Sequence, residues 1–185
     1  ETAGMGWLLV SLALQALCGP AVPYRATRAA IRCQPPQLGP RVRLISVGRN
    51  KESWLEQAVE IYTSRLRQVL SIEFQWVRDD AALETAWRKA QEAEPCILLD
   101  ERGTQLSSVE FSAMLFDRLE EGGSRLTFVI GGAEGLPRAV KASASRRDCF
   151  SLGRLTYTHQ IARLLLVEQI YRAAEIRRGS GYHKD

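Results

Sequence analysis

The sequence predicts an α/β fold in which helices cover both faces of a mostly parallel β-sheet. From Arg41 onward, short apolar runs alternate with amphipathic helical segments, the pattern of parallel strands joined by helical crossovers. Residues 96–99 form a continuous apolar run, which is typical of a strand buried on both faces. Residues 127–137 combine an apolar strand, a turn with three glycines and a helix start. In an α/β sheet, such a turn presents backbone N–H groups to a ligand at the carboxyl end of the strand.

Five segments are predicted to be strands because they are short, apolar and rich in β-branched or aromatic residues. The first is 42–47, which ends at Gly48. In the second, 72–76, apolar and polar residues alternate. The third is 96–100, after which Gly103 is expected to turn the chain. The fourth and fifth are 127–130 and 149–152.

Five segments are predicted to be helices because their apolar residues recur at helical spacing. The first covers about 51–69. The second begins at a cap, Asp79 or Asp80, and ends before Pro95. The third begins at Ser107 or Ser108 and ends at the glycine pair 122–123. The last two cover about 136–146 and 160–176.

The first 40 residues differ in composition from the rest and are predicted to be a targeting leader. Residues 7–18 form an apolar run, too short to span a bilayer, that resembles the core of a signal peptide. Residues 19–40 carry three arginines, five prolines and no acidic residue, as an organelle transit peptide does. Such a bipartite leader suggests a plastid. A single mitochondrial or chloroplast leader and a disordered tail are the alternatives. The domain is then 41–185.

Charge is unevenly distributed, although the net charge of the 185 residues is only +4. Residues 41–136 contain 12 basic and 16 acidic residues, a net charge of −4, whereas 137–185 contain 10 and 4, a net charge of +6. This distribution suggests a polyanionic partner near the C-terminus, or equally a solvated helix face. The four cysteines have no CxxC spacing, so neither a disulfide framework nor a metal site is predicted.

Three stretches could carry chemistry. The glycine turn 131–135 could bind a ligand or could simply be a tight turn. The other two stretches are 151–160, which links the last predicted strand to the last helix, and 177–185 at the end of the chain. Each of them contains one of the two histidines of the chain. His159 starts the last helix, where a histidine is more often a cap or a core hydrogen-bonding group than a catalyst. His183 lies in Tyr182-His183-Lys184, just before the last residue, Asp185, and this is an unusual composition for an inert tail.

Six short motifs, spread from the first predicted strand to the end of the chain, together resemble those of one family. They are residues 45–48 (ISVG), 98–100 (LLD), 128–136 (FVIGGAEGL), 155–160 (LTYTHQ) with Arg163, 168–173 (EQIYRA) and 181–184 (GYHK). From about Arg41 to Asp185 the chain resembles the ribosomal RNA large subunit methyltransferase H family, in plant or algal organellar form. These are small SPOUT-class enzymes that use S-adenosylmethionine (SAM). One departure is Thr158, which stands where the family usually has proline.

The resemblance implies a SPOUT α/β domain with a C-terminal trefoil knot, acting as a homodimer without a metal or a membrane segment. It implies methylation of N3 of a pseudouridine in large-subunit rRNA of the ribosome. A non-catalytic rRNA-binding assembly factor and a SPOUT enzyme acting on tRNA are the alternatives. The implied cofactor-binding residues are Leu99, Gly131, Leu152, Gly153, Arg154, Leu155, Thr156 and Tyr157.

Three residues, His183, Tyr182 and Arg163, are the expected catalytic groups. Histidine can accept a proton near neutral pH, while arginine stays charged and can stabilise an anion. We expect His183 to accept the proton or orient the substrate and Arg163 to stabilise the developing charge. Contacts to the RNA backbone are expected from basic residues of the C-terminal quarter. These are Arg138, Lys141, Arg146, Arg147, Arg154, Arg177 and Arg178.

Overall fold

The computed structural model describes residues 39–184, so the predicted leader lies outside the described part except for its last two residues. The strands within that part are β1 Arg41–Val47, β2 Ser71–Val77, β3 Cys96–Gln105, β4 Arg125–Ile130 and β5 Cys149–Ser151. The α-helices are α1 Ser53–Leu66, α2 Asp80–Gln91, α3 Ser108–Glu121, α4 Arg138–Ser143 and α5 His159–Arg177. A short 3-10 turn covers Arg146–Asp148.

All strand pairs are parallel, in the order β2-β1-β4-β3-β5. The predicted α/β architecture with a parallel sheet is therefore confirmed. Parallel strands place their carboxyl ends at one edge, so the loops after β1, β3, β4 and β5 gather on the same side of the molecule. None of the described helices is long and apolar enough to cross a membrane. The trefoil knot and the homodimer stay predictions.

Side chains of successive strand residues pack on opposite faces of the sheet, and each face has its own core. Phe128 of β4 belongs to the larger core, together with Leu44 and buried residues of α1, α3 and α5. The next residue, Val129, belongs to a smaller core that includes Ile45 and Trp87. Covering both faces explains why the central strands read as continuous apolar runs.

Helix starts follow from local capping chemistry. The Asp79 side chain accepts a hydrogen bond from the Ala82 backbone N–H at 2.8 Å. Ser107 and Glu110 form a reciprocal capping box, in which each side chain accepts from the other residue's backbone N–H. Thr158 caps α5, its hydroxyl accepting from the Ile161 N–H at 3.4 Å. Threonine in place of the family's proline thus supplies an N-cap.

Two expectations about element ends were wrong. Gly103 does not turn the chain, because β3 continues to Gln105 and pairs again with β5 after a register shift between Leu99 and Thr104. That irregularity resembles a bulge, which redirects the side chains within it. The helix expected over 136–146 is only Arg138–Ser143, because Pro137 precedes it and the chain becomes extended at Ala144.

Candidate functional site

A cleft of about 340 Å³ opens at the carboxyl edge of the sheet. Its walls come from the ends of β3 and β4, the glycine turn, the loop after β5 and the first turn of α5. Six of the eight expected cofactor residues line it. These are Leu99, Gly131, Leu152, Leu155, Thr156 and Tyr157. Gly153 and Arg154 lie in the same loop between lining residues, without being part of the wall themselves.

The glycine turn folds tightly on itself. The Gly135 N–H donates to the Gly132 carbonyl at 3.2 Å, and Gly135 has a φ of +79°, which only glycine adopts readily. A Cβ added at Gly131 would lie 2.2 Å from the Gly135 backbone. A side chain at this position could therefore either enter cofactor space or strain the turn. The structure shows that glycine is required there by the turn's own backbone.

Asp100 lies within the β3 irregularity and in the cleft wall, where it pairs with Lys141 of α4. The Lys141 ammonium lies 2.7 Å from Asp100, whose side chain is 10% exposed. Burial alone would raise the pKa of Asp100, but hydrogen bonds from Lys141 and the Arg102 backbone N–H outweigh it and lower the pKa. The ion pair therefore connects β3 to the helix that follows the glycine turn.

Acidic groups outnumber basic ones in the cleft. Asp100, Glu101 and Glu134 line it, whereas Lys141 is the cation among the lining residues. Leu99, Ile130, Leu136, Leu152 and Leu155 supply apolar wall. A pocket with apolar walls and a surplus of negative charge favours a ligand that has an apolar body and a positive charge.

His159 is a cleft residue that the sequence analysis did not assign to the site. As the first residue of α5, it sits at the carboxyl edge of the sheet beside the glycine turn. Burial lowers the pKa of its imidazole, and the positive charges of Arg163 and Lys51 lower it further. The signal available from sequence was its place at the start of a helix that follows a strand.

Arg163 lies in the core rather than in the cleft wall, with no solvent exposure. Its guanidinium donates to Ser46 Oγ at 3.0 Å, to the Val47 carbonyl at 3.0 Å and to Asn50 Oδ1. It also stacks over the Trp76 ring, 4.9 Å from the centroid. Burial lowers its pKa to about 10. Within one subunit, Arg163 thus joins α5 to β1 and β2 and has no access to a substrate.

The C-terminal tail packs on α5. The Tyr182 hydroxyl donates to Glu168 at 3.1 Å, and burial together with the Glu168 charge raises the Tyr182 pKa to about 12. Arg172 binds Glu168 at 2.6 Å, lies 4.9 Å from the centroid of the Tyr182 ring and approaches His183 Nδ1 at 3.5 Å. Within one chain, these contacts hold the tail on α5. Glu168 and Arg172 were missed as partners of the expected catalytic pair.

The tail and the cleft are far apart in one subunit. Arg172 follows His159 by 13 positions on α5, which corresponds to about 20 Å along a helix. Tyr182 and His183 pack near Arg172, so they do not line the cleft of their own chain. A role for them in chemistry at a cleft requires a second copy of the chain.

The expected RNA-binding residues fall at two ends of the sheet. Arg138 and Arg154 are exposed at the carboxyl edge, and Lys141 is bound to Asp100. The other four lie at the amino edge, before β5 or at the end of α5. Three of those four have acidic partners there. These pairs are Arg147 with Glu121, Arg177 with Glu120 and Arg178 with Glu175. The C-terminal charge excess therefore does not form one surface around the cleft.

Among residues 39–184, no group of three or more histidine, cysteine or acidic side chains is arranged to hold a metal ion. The two cysteines of that part, Cys96 and Cys149, are unpaired thiols. Burial raises the pKa of Cys96 to about 12, with a further contribution from Glu94, so this thiol stays protonated. Cys96 behaves as a small apolar core residue.

A family model and the sequences of known proteins both match this chain, and both are methyltransferases. Residues 41–183 match the family model described as Predicted SPOUT methyltransferase. A ribosomal RNA large subunit methyltransferase H of Protochlamydia amoebophila (strain UWE25) is 47% identical over 144 residues, covering 78% of this chain and 99% of that protein. The protein of the same name from Symbiobacterium thermophilum is 40% identical over 163 residues, again covering 78% and 99%. The match spans the sheet, the cleft and the tail, and we conclude that this chain belongs to the SPOUT methyltransferase family.

Proposed function

We propose that this protein is an SAM-dependent methyltransferase that modifies N3 of a pseudouridine in large-subunit rRNA. The family membership supports methyl transfer, and the names of the relatives supply the RNA class. The observation that carries the proposal is the cleft, because its walls combine apolar side chains, a close-packed glycine turn and surplus acidic groups. Six residues that the family resemblance assigns to the cofactor lie together there.

The cleft fits the chemistry of SAM. When bound, SAM supplies an electrophilic methyl group on a positively charged sulfonium. Leu99, Leu152 and Leu155 offer apolar surface for an adenine ring, and the turn around Gly131 lets backbone approach the ligand closely. Glu101 and Glu134 complement the positive charge of the donor. The demethylated product lacks the sulfonium charge, so the same acidic groups favour its release over the release of the donor.

The acceptor is an imide-like nitrogen, which attacks well only once its proton has left. The protein must therefore accept that proton and hold the nucleotide in line with the methyl group. Arg138 and Arg154 are exposed near the cleft, and we expect them to contact RNA phosphates and position the nucleotide. Lys141 forms an ion pair with Asp100 in the cleft wall, so we do not expect it to contact RNA.

The homodimer and the knot are part of the same proposal. In α5, Leu166, Val167 and Ile170 are fully buried, whereas Leu164, Leu165 and Tyr171 stay partly exposed. On α1, which packs against α5, Trp54 is 54% exposed and Ile61 is 49% exposed, two turns apart on the same side. A second copy covering these apolar surfaces would stabilise the dimer and could bring one tail to the other copy's cleft.

Two measurements test the proposal. Calorimetry with purified protein should show SAM binding, whereas a non-catalytic assembly factor would bind rRNA without SAM. Mass spectrometry of organellar rRNA and tRNA, with and without the protein, should show one methylated pseudouridine lost from large-subunit rRNA alone. A methyl group lost from tRNA instead would favour the tRNA alternative. Plastid or mitochondrial location stays a prediction, which imaging of a fluorescent fusion to residues 1–40 can test.

A further inference from the structure

One titratable group in the cleft has no structural task. The His159 side chain lines the cleft beside Leu99, Gly131 and Tyr157, and its two ring nitrogens make no hydrogen bond to any residue within 39–184. The N-cap task at this helix start belongs to Thr158. A half-buried imidazole whose nitrogens are not engaged by the protein is available to a ligand in the cleft.

The other histidine is poorly placed for the same task within one chain. His183 contacts Arg172, about 20 Å along α5 from His159 by helical rise. The chain has two histidines in all. His159 is therefore the histidine that shares the cleft with the residues assigned to the methyl donor.

We propose that His159 is the group that accepts the proton of the substrate nitrogen, an inference that rests on the function proposed above. The nitrogen's N–H bond breaks and the proton passes to the neutral imidazole of His159. The nitrogen lone pair forms the bond to the methyl carbon, while the S–CH3 bond breaks and leaves its electron pair on sulfur. The imidazolium then returns its proton to water, so no oxidant or further reactant is needed.

The charges around His159 suit this role. Lys51, from the loop after β1, and Arg163, one turn further along α5, are close enough to lower the imidazole pKa, and burial lowers it more. Asp100, Glu101, Glu134 and Lys141 share the cleft wall and complete the charged groups there. With its pKa below the ordinary 6.5, His159 is neutral at pH 7 and can accept a proton.

The first test does not depend on activity. Histidine-labelled protein should give two imidazole signals in an NMR titration, and the His183→Gln variant assigns them. We expect the His159 signal to titrate below pH 6.5 and to shift when SAM or its demethylated product is added. A His159 signal that titrates above pH 7, or that ignores both ligands, would overturn the inference.

The second test is single-turnover methylation of large ribosomal subunits from pH 5 to 8. His159→Gln should lower the rate at pH 7 by about 100-fold or more, the scale of a lost general base. Its SAM affinity should stay within about threefold of wild type, because imidazole and amide differ little as ligand contacts. The wild-type rate should level off above the His159 pKa, whereas the variant's rate should keep rising about tenfold per pH unit as the substrate ionises by itself.

Thr158→Ala is the matched control, since it weakens the same helix turn but keeps the imidazole. It should lower the unfolding free energy while retaining the wild-type shape of the pH profile. Equal rates and equal profiles for wild type and His159→Gln would overturn the role of His159 and leave the proposed function standing. A wild-type protein that binds no SAM and methylates no RNA would instead reject the proposed function itself.

Discussion

Replacing Arg163 separates a structural role from a catalytic one. The side chain is fully buried and donates hydrogen bonds to Ser46, Val47 and Asn50. Truncation in Arg163→Ala leaves these acceptors without their donor and opens a cavity beside Trp76. We expect the variant to lose folding stability, with methyl transfer falling only as far as folded protein is lost.

The magnitude follows from two opposing terms. Three hydrogen bonds from a charged donor contribute about 1.5 to 3 kcal/mol each, or about 4.5 to 9 kcal/mol together. The opposing term is the cost of burying the charge. Burial lowers the Arg163 pKa from 12.5 to about 10, and this shift corresponds to about 3 kcal/mol. The difference centres on about 4 kcal/mol, which is large for a single substitution and typical of breaking a buried hydrogen-bond network. For a domain of this size the melting temperature should fall by about 10 °C.

Urea denaturation of wild type and Arg163→Ala gives the unfolding free energies directly. Arg163→Lys should recover only part of the loss, because one ammonium cannot reproduce the planar fork that reaches three acceptors. Arg88→Ala is the surface control: that side chain is 62% exposed in a helical pair with Glu84, so its effect should be below about 0.5 kcal/mol. An Arg163→Ala protein within about 1 kcal/mol of wild type but unable to methylate RNA would refute the structural argument.

Four further outcomes are expected. Gly131→Ala should lower the unfolding free energy, measured by urea denaturation, by about 2 kcal/mol, because the added Cβ would lie 2.2 Å from backbone atoms. Gly132→Ala is the control and should lower it much less, because its Cβ would have ordinary contacts from 3.5 Å. Asp100→Asn should lower the unfolding free energy at pH 7, because it removes the charge that pairs with Lys141. In unfolding curves measured over a pH series, the difference from wild type should vanish as pH falls through the lowered pKa of Asp100, where the wild-type carboxylate is protonated. Deleting 181–185 should keep the fold and SAM binding but slow single-turnover methylation by about 100-fold or more, because the tail of a second copy would no longer orient the substrate; equal rates would remove the tail from the chemistry. A protein starting at Arg41 should show one thermal transition, and aggregation only of this shorter form would contradict the leader prediction.

Much of the fold could be predicted because it depends on residues close together in the chain. Strand alternation, the caps at Asp79 and Ser107 and the helix end at Gly122 involve contacts within about four positions, where side-chain chemistry acts directly on the backbone. The glycine turn was recognisable for the same reason. The turn predicted at Gly103 was wrong because β3 pairs with β5, and these pairs join residues more than 45 positions apart, which local pattern does not contain.

The roles of individual side chains were decided by tertiary structure. Arg163 could be chosen as a functional residue from its motif, but its bond to Ser46 joins positions 117 apart and turns it into a core residue. The tail could be expected to be mobile from its glycines, yet Glu168 and Arg172 hold it on α5. His159 could not be told from a helix cap until the packing of α5 against the sheet placed it in the cleft. Sequence determined which groups the protein carries, whereas their exposure, charge and reach depend on packing between distant segments.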